Sequence, residues 1–367
     1  FDGVVTPTTS MLSKATRERI QKKHPQCVFY HGCVCDALGL LVCDVSSVLP
    51  WLEKVRLSVA ELAKVFYGNH KLQSQLRNNQ ESGHYAVTEF PDFSSVCASL
   101  QSVLDREKEL YPIVARRDFV EANSPAEQEK LKRVQDFVLS DSFVRDLSNA
   151  LLILRPLQQH LQHFRSERTP ISQVYPYFMD LLRVYSSMEW VNKKEKALLT
   201  SCVMERLNAI YGDSHGVAYM LDPLYLGEAL DAGKKREVER FIARYCEREE
   251  EDVDILAHLA EYKEMVADLK ENDPEYWKSV ESGAVRPYEF WVERQQFSLL
   301  QELALAAFAL PASCSSPTQA FGPQGDLTYS RFGDTLSPEK LQKLTHVFCN
   351  AKSKPEGDLP NLVILDV

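Results

Sequence analysis

Leu299-Leu300-Gln301-Glu302-Leu303-Ala304-Leu305-Ala306-Ala307-Phe308-Ala309-Leu310 is an almost unbroken apolar run that stops at Pro311. Wound as a helix, it is apolar around nearly its whole circumference, which predicts a central helix buried in a core or an interface. Pro311 ends it, because proline has no N–H to donate and crowds the preceding turn. Ala312-Ser313-Cys314-Ser315-Ser316-Pro317-Thr318-Gln319-Ala320-Phe321 follows, then Gly325, Arg331 and Leu336-Ser337-Pro338-Glu339-Lys340. From Pro311 to Ser337 the pattern predicts a long loop, partly disordered or lying along another surface, followed by a last amphipathic helix to Asn350 that carries Val347 and Phe348.

Upstream the chain reads as one helix after another. Cys27-Val28-Phe29-Tyr30 is a short apolar strand before Gly32, and Leu38 to Val45 is too continuously apolar for periodicity to assign. Val55, Val59, Leu62, Ala63 and Phe66 fall at helical spacing and predict a helix over 51–69. A polar loop over 79–92 follows, then a helix through Val96, Leu100, Val103 and Leu104 that Pro112 limits. Ser124-Pro125-Ala126-Glu127 is a helix start, with Ser124 as cap and Pro125 in the first turn. Helices are predicted over 125–140, 141–163, 170–186, 191–211, 233–249 and 252–270, with Pro156 kinking or dividing the second and Asp222-Pro223 in a break. Glu247 to Asp252 is a solvated helix end.

Composition sets outer limits. The 367 residues, 44% hydrophobic with only 14 glycines, suit a helix-rich globular protein of one large or two ordinary domains. The net charge of -10 counts against tight nucleic-acid binding by the chain as a whole, since phosphate contacts need clustered Lys and Arg. Nine scattered cysteines fit a reducing compartment. No signal peptide is visible, and no apolar run reaches the roughly 18 residues of a membrane span. Phe1 in place of Met reads as a fragment or a mis-started product.

Few stretches could carry chemistry. His31, Cys33, Cys35 and Cys43 are four soft donors close in sequence, but their spacing matches no zinc knuckle and no second Cys-x-x-Cys pair exists, so no metal is expected. Ser313 to Ser316 has no nucleophile elbow around it, and Gly322-Pro323-Gln324-Gly325 lacks the Lys-Ser/Thr of a phosphate loop.

The order of these segments resembles the hAT (hobo/Activator-type) transposases. Leu299 to Asn350 is similar to their C-terminal dimerisation region, with Thr318-Gln319 where the family has Glu-Arg. Gly32-Cys33-Val34-Cys35-Asp36-Ala37-Leu38-Gly39-Leu40-Leu41 resembles the family segment C-x-x-H-x-L-N-L, with Asp36 for the His and Gly39 for the Asn; His24-Pro25 and Phe29-Tyr30 precede it as the family's H-P and aromatic strand do. Asp2-Gly3, with Met11 beyond, is similar to the motif that carries the second catalytic carboxylate. Phe90-Pro91-Asp92-Phe93-Ser94-Ser95 stands where the family has T-R-W-G-S/T. Asp136 to Leu157, Pro170-Ile171-Ser172-Gln173-Val174-Tyr175-Pro176, Ala218-Tyr219-Met220-Leu221-Asp222-Pro223-Leu224-Tyr225 and Asp273 to Lys278 resemble further family segments, Leu224 replacing an Arg.

The resemblance implies a ribonuclease H-like core, incomplete at the N-terminus, with a large helical insertion: a mostly α chain with a small α/β remnant. It places a partial core at 1–70, the insertion at 71–270, the dimerisation region at 271–352 and a tail at 353–367. The family would use Mg2+ or Mn2+ held by three carboxylates. Here the third position is Thr318, the first has no counterpart, and Asp2 alone stands in place, so no catalytic set is intact and no cofactor is expected. Remnant positions are Asp2, Thr318, Cys33 and Asp36. The resemblance implies a catalytically inactive, nuclear or otherwise cytoplasmic protein that forms a homodimer through Leu299, Leu300, Leu303, Phe308, Pro311, Phe321, Leu336 and Phe348. It would bind DNA weakly if at all, and no membrane or small-molecule substrate. The alternatives are a DNA-binding module of the same descent, or a fragment of an active transposase completed by an upstream segment. Self-association has its own rival: the same apolar surface would be internal core.

Overall fold

The computed structural model describes residues 3–8, 12–24, 27–78, 93–121, 124–166, 169–247 and 255–314, and among these the chain is mostly helical, with one two-stranded sheet. The contacts group into two compact units. The first comprises 1–36, 164–174 and 210–367, the second 37–163 and 175–209.

The first unit starts with β1 (Gly3–Thr6), α1 (Leu12–Lys23) and β2 (Phe29–Gly32). The strands pair in parallel, with Gly3 opposite Phe29 and Thr6 opposite Gly32. A parallel pair needs a crossover connection, which α1 provides. Every residue of β2 is buried, as expected for a strand covered on both faces. The strand expected over 27–30 is shifted: β2 shares Phe29 and Tyr30 with it and runs on through His31 to Gly32.

The apolar stretch after Gly32 that periodicity could not assign is a helix, α2 (Val34–Val48). Its buried residues Val34, Ala37, Leu38, Leu41, Val42 and Val45 recur at three- and four-residue steps. The remainder of the second unit is helical among the described residues: α3 (Pro50–Tyr67), α4 (His70–Asn78), α5 (Phe93–Asp105), α6 (Glu107–Val114), α7 (Pro125–Val138), α8 (Phe143–Phe164), α9 (Val174–Ser187) and α10 (Lys193–Ile210). α3 buries the face read from the sequence, Val55, Val59, Leu62, Ala63 and Phe66. Ser124 caps α7 as expected, its Oγ accepting from the Glu127 N–H at 3.3 Å. Pro112 acts otherwise than expected: it sits inside α6 and the break falls at Arg106. Pro156, expected to kink or divide its helix, lies inside α8 without dividing it. In each case the carbonyl that proline leaves without a donor belongs to an exposed residue, Lys108 or Leu152, where water can take it up.

After residue 210 the first unit resumes with α11 (Asp213–Leu221), α12 (Ala232–Glu247), α13 (Ile255–Asn272), α14 (Pro274–Glu281), α15 (Pro287–Val292) and α16 (Ser298–Phe308). The helix buried all round is α11, in which every residue from Ser214 to Leu221 is buried. The sequence reading put that role on α16. There the buried side is one face, Leu299, Leu300, Leu303, Ala304 and Ala307, while Leu305, Ala306 and Phe308 keep partial exposure. α11 packs against β2, α12 and α16. Its C-terminal carbonyl at Leu221 accepts from Tyr262 Oη at 2.8 Å and from Trp291 Nε1 at 2.7 Å, so a buried helix end is satisfied by side chains from α13 and α15. Among the described residues no single helix is long and apolar enough to cross a membrane.

Candidate functional site

The C-terminal ends of parallel strands are where open α/β sheets place their chemistry. Here that edge is formed by Thr6, Thr8, Gly32, Cys33 and the first turn of α2. The Cys33 N–H donates to the Thr6 carbonyl at 2.8 Å, continuing the ladder one residue past β2. Thr8 N–H donates to Asp36 Oδ2 at 3.0 Å, so the Asp36 carboxylate closes the turn after β1. Arg17, on α1, is buried to 5% exposure and donates from Nη1 to Thr6 Oγ1 at 3.2 Å. Burial pulls its pKa below the usual guanidinium value. Gly32 is needed at this point: a Cβ there would lie 2.6 Å from Arg17 Nη1 and 2.6 Å from Thr8 Oγ1.

The segment after α16 comes back to the same edge. Val34 N–H donates to the Ala312 carbonyl at 3.2 Å, and Cys314 N–H points at Cys33 Sγ at 3.4 Å. Cys33, Asp36 and Cys314 then offer two sulfurs and a carboxylate oxygen that all lie within 4.8 Å of one another. Cys33 is fully buried. Its hydrogen bond with Cys314, and then burial, push its thiol pKa far up. Cys35 is half-buried beside them, its pKa raised first by burial.

Behind the edge sit two buried imidazoles. The rings of His31 and His215 meet edge to face at 4.9 Å between centroids. His31 Nδ1 lies 3.1 Å from the Gly32 carbonyl, and His215 Nδ1 accepts from the Gly212 N–H at 3.2 Å. Neither Nε2 has a hydrogen-bond partner. Burial pushes the His31 pKa down to about 4 and that of His215 well below its ordinary value, so both rings are neutral at physiological pH.

Of the residues expected from the sequence, Cys33 and Asp36 stand together at this edge. Asp2, Thr318, Phe321, Leu336 and Phe348 lie outside the described residues, as do the loop over 79–92 and the last helix to Asn350. Of the four soft donors close in sequence, His31 turns toward His215, and Cys43 lies eight residues beyond Cys35 on α2, about 12 Å along the axis. Leu299, Leu300 and Leu303, expected at a dimer interface, are buried within the chain at 4%, 0% and 0% exposure. Phe308 is half-buried and Pro311 exposed, and both line a surface cavity of about 170 Å³ beside Tyr288. Arg17, His215 and Cys314 carry no local signal, because each reaches the edge through a separate element.

Two thiols and one carboxylate make a soft donor set. It suits zinc better than Mg2+ or Mn2+, which take oxygen ligands. No protein-family model matches the chain, and no curated protein matches it either.

Proposed function

We propose that this chain is a derivative of a hAT-type transposase that has lost strand-cleaving chemistry and retains self-association through its C-terminal region. The observation that carries the reading is the chain order. A parallel β–α–β unit leads into a second unit, 37–163 and 175–209, that is helical among the described residues, and the chain then returns to the first unit through α11 to α16. That order is what a ribonuclease H-like core interrupted by a helical insertion requires. The loss of catalysis rests on Thr318, a neutral hydroxyl where the family has its third carboxylate. It rests also on Asp36, whose carboxylate accepts from the Thr8 N–H and lies beside the Cys33 and Cys314 thiols. The net charge of -10 favours weak, salt-sensitive contact with DNA over a specific complex, and descent places the protein in the nucleus.

Self-association is read from apolar side chains that the first unit leaves at its surface. Tyr288 and Val292 on α15 are 42% and 48% exposed, and Phe308 and Pro311 adjoin the same cavity as Tyr288. A second copy of this chain is the occupant that fits a C-terminal dimerisation region. Sedimentation velocity at tens of micromolar tests it: the wild type sediments as a dimer, and Phe308→Glu as a folded monomer by circular dichroism. A wild-type monomer under those conditions refutes the reading. Metal-dependent DNA cleavage by the purified chain, above background and lost in Asp2→Ala, refutes the loss of catalysis.

A further inference from the structure

We propose that Cys33, Asp36 and Cys314 form a zinc site that pins the segment after α16 to the first turn of α2. Two separate pieces of backbone deliver the ligands. Cys33 stands immediately before α2, and Asp36 is three residues on, on the same side of the first turn. Cys314 is brought in from 281 residues away by the Val34–Ala312 backbone bond and its own N–H to Cys33 Sγ. The ligand atoms lie within 4.8 Å of one another. In a tetrahedral site with Zn–S of about 2.3 Å, two sulfurs sit roughly 3.8 Å apart, so the cluster closes by side-chain rotation of at most about 1 Å.

The surroundings suit a metal thiolate. The Cys314 N–H directed at Cys33 Sγ is the outer contact that stabilises charge on a coordinated sulfur. The Thr8 N–H on Asp36 Oδ2 fixes the orientation of the carboxylate. Without metal, two neutral thiols are packed at a strand edge; with it, each gives up a proton and binds as thiolate, so affinity rises with pH. Two sulfurs and one oxygen select zinc over the oxygen-seeking Mg2+, Ca2+ and Mn2+. Three protein ligands leave the fourth position to solvent. The site's effect is structural: it closes a chain loop that runs from the β1–β2 edge through both units and back.

Cobalt(II) is the probe, added to the full chain, reduced and kept free of oxygen. One equivalent gives a sulfur-to-cobalt band in the near ultraviolet together with the visible bands of tetrahedral cobalt, and zinc abolishes both. Cys33→Ser and Cys314→Ser lose the sulfur band, Asp36→Asn weakens cobalt binding by at least about tenfold, and Cys43→Ser, on the exposed side of α2, changes nothing. Circular dichroism of each variant separates loss of the site from loss of the fold. A second readout needs no variant: zinc protects Cys314 from alkylation in the wild-type chain while Cys43 stays reactive. Absence of the cobalt bands in wild type, their persistence in Cys314→Ser, or equal alkylation of Cys314 with and without zinc overturns the proposal.

Discussion

Replacing Asp222 by Asn is expected to stabilise the protein at neutral pH, and by an amount that depends on pH in a defined way. Asp222 follows α11 and is 1% exposed. It accepts from Ser172 Oγ at 2.6 Å and from the Leu224 N–H at 2.9 Å. Burial raises its pKa from 3.8 to about 6, and those two hydrogen bonds offset only part of that effect. Between 3.8 and about 6 the folded chain holds a proton that the unfolded chain has released. The stabilisation is therefore complete below 3.8 and is lost as pH rises through about 6. The whole loss is about 3 kcal/mol, on the scale of 1.36 kcal/mol for each tenfold change in proton affinity. Asn keeps the geometry: its Oδ1 accepts from Leu224, its Nδ2 donates to Ser172 Oγ, and the hydroxyl changes from donor to acceptor. Urea unfolding of wild type and Asp222→Asn across this pH range measures the difference. That difference is the informative quantity, because buried His31 and His215 push the wild-type profile the opposite way and cancel in it. The variant should gain up to about 3 kcal/mol over wild type above pH 6 and little near pH 4. A difference that stays flat with pH, or a variant less stable than wild type at pH 7, refutes the reasoning.

Three further outcomes are expected. A Cβ on Gly212 would lie 2.1 Å from the Tyr30 carbonyl oxygen, whereas one on Gly39 meets nothing within 4 Å. Gly212→Ala should therefore cost about 3 kcal/mol or prevent folding, and Gly39→Ala, inside α2, should gain about 0.5–1 kcal/mol; thermal melts that shift alike in both would contradict this. Tyr262→Phe and Trp291→Phe each leave the Leu221 carbonyl one donor, and the double variant leaves it none, so a double-mutant cycle in urea should show an extra cost of about 1–2 kcal/mol; strict additivity would mean that the two donors do not share this acceptor. The depressed pKa of His31 means that its contribution to stability is present above 6.5 and lost as pH falls toward about 4; imidazole carbon shifts followed by NMR should show no midpoint near 6.5 for His31 or His215.

Elements with a one-sided face or a local start signal were legible in the sequence. α3 was visible because Val55, Val59, Leu62 and Phe66 alternate with polar residues, and α7 because Ser124-Pro125-Ala126-Glu127 states its own cap. α2 was not, because its less-buried side also carries apolar residues such as Leu40 and Cys43; α11 was not, because it is buried all round. Periodicity reports the difference between a wet and a dry side, and that contrast fades as burial closes round a helix. α11 has no wet side from Ser214 to Leu221. Gly216 within it also reads as a break, though its lack of a Cβ serves packing: a Cβ there would meet Val238 Cγ2 at 2.4 Å. The misplacement of the central helix follows from the same limit. α16 is richer in leucine, but composition does not say how many neighbours surround a helix, and its half-exposed Leu305, Ala306 and Phe308 show that it has them on one side only.

The candidate site divides along the same line. Cys33 and Asp36 are legible because they lie three residues apart in one short motif, a spacing that one helical turn converts into proximity. Among donors that are neighbours in the chain, His31, Cys33, Cys35 and Cys43, the spacing excludes a zinc knuckle. That exclusion holds for a locally encoded site and carries no weight for one assembled by tertiary structure. The third donor, Cys314, stands 281 residues away and is placed by backbone bonds at Ala312 and Cys33, groups that every residue possesses and no side-chain pattern announces. Even with Ala312 bonded to Val34, the sequence around Cys314 would read as a Ser-rich loop after a helix. What makes it a site is the strand pair, whose parallel register brings Thr8 and Cys33 to one edge and so gives the returning chain a place to dock.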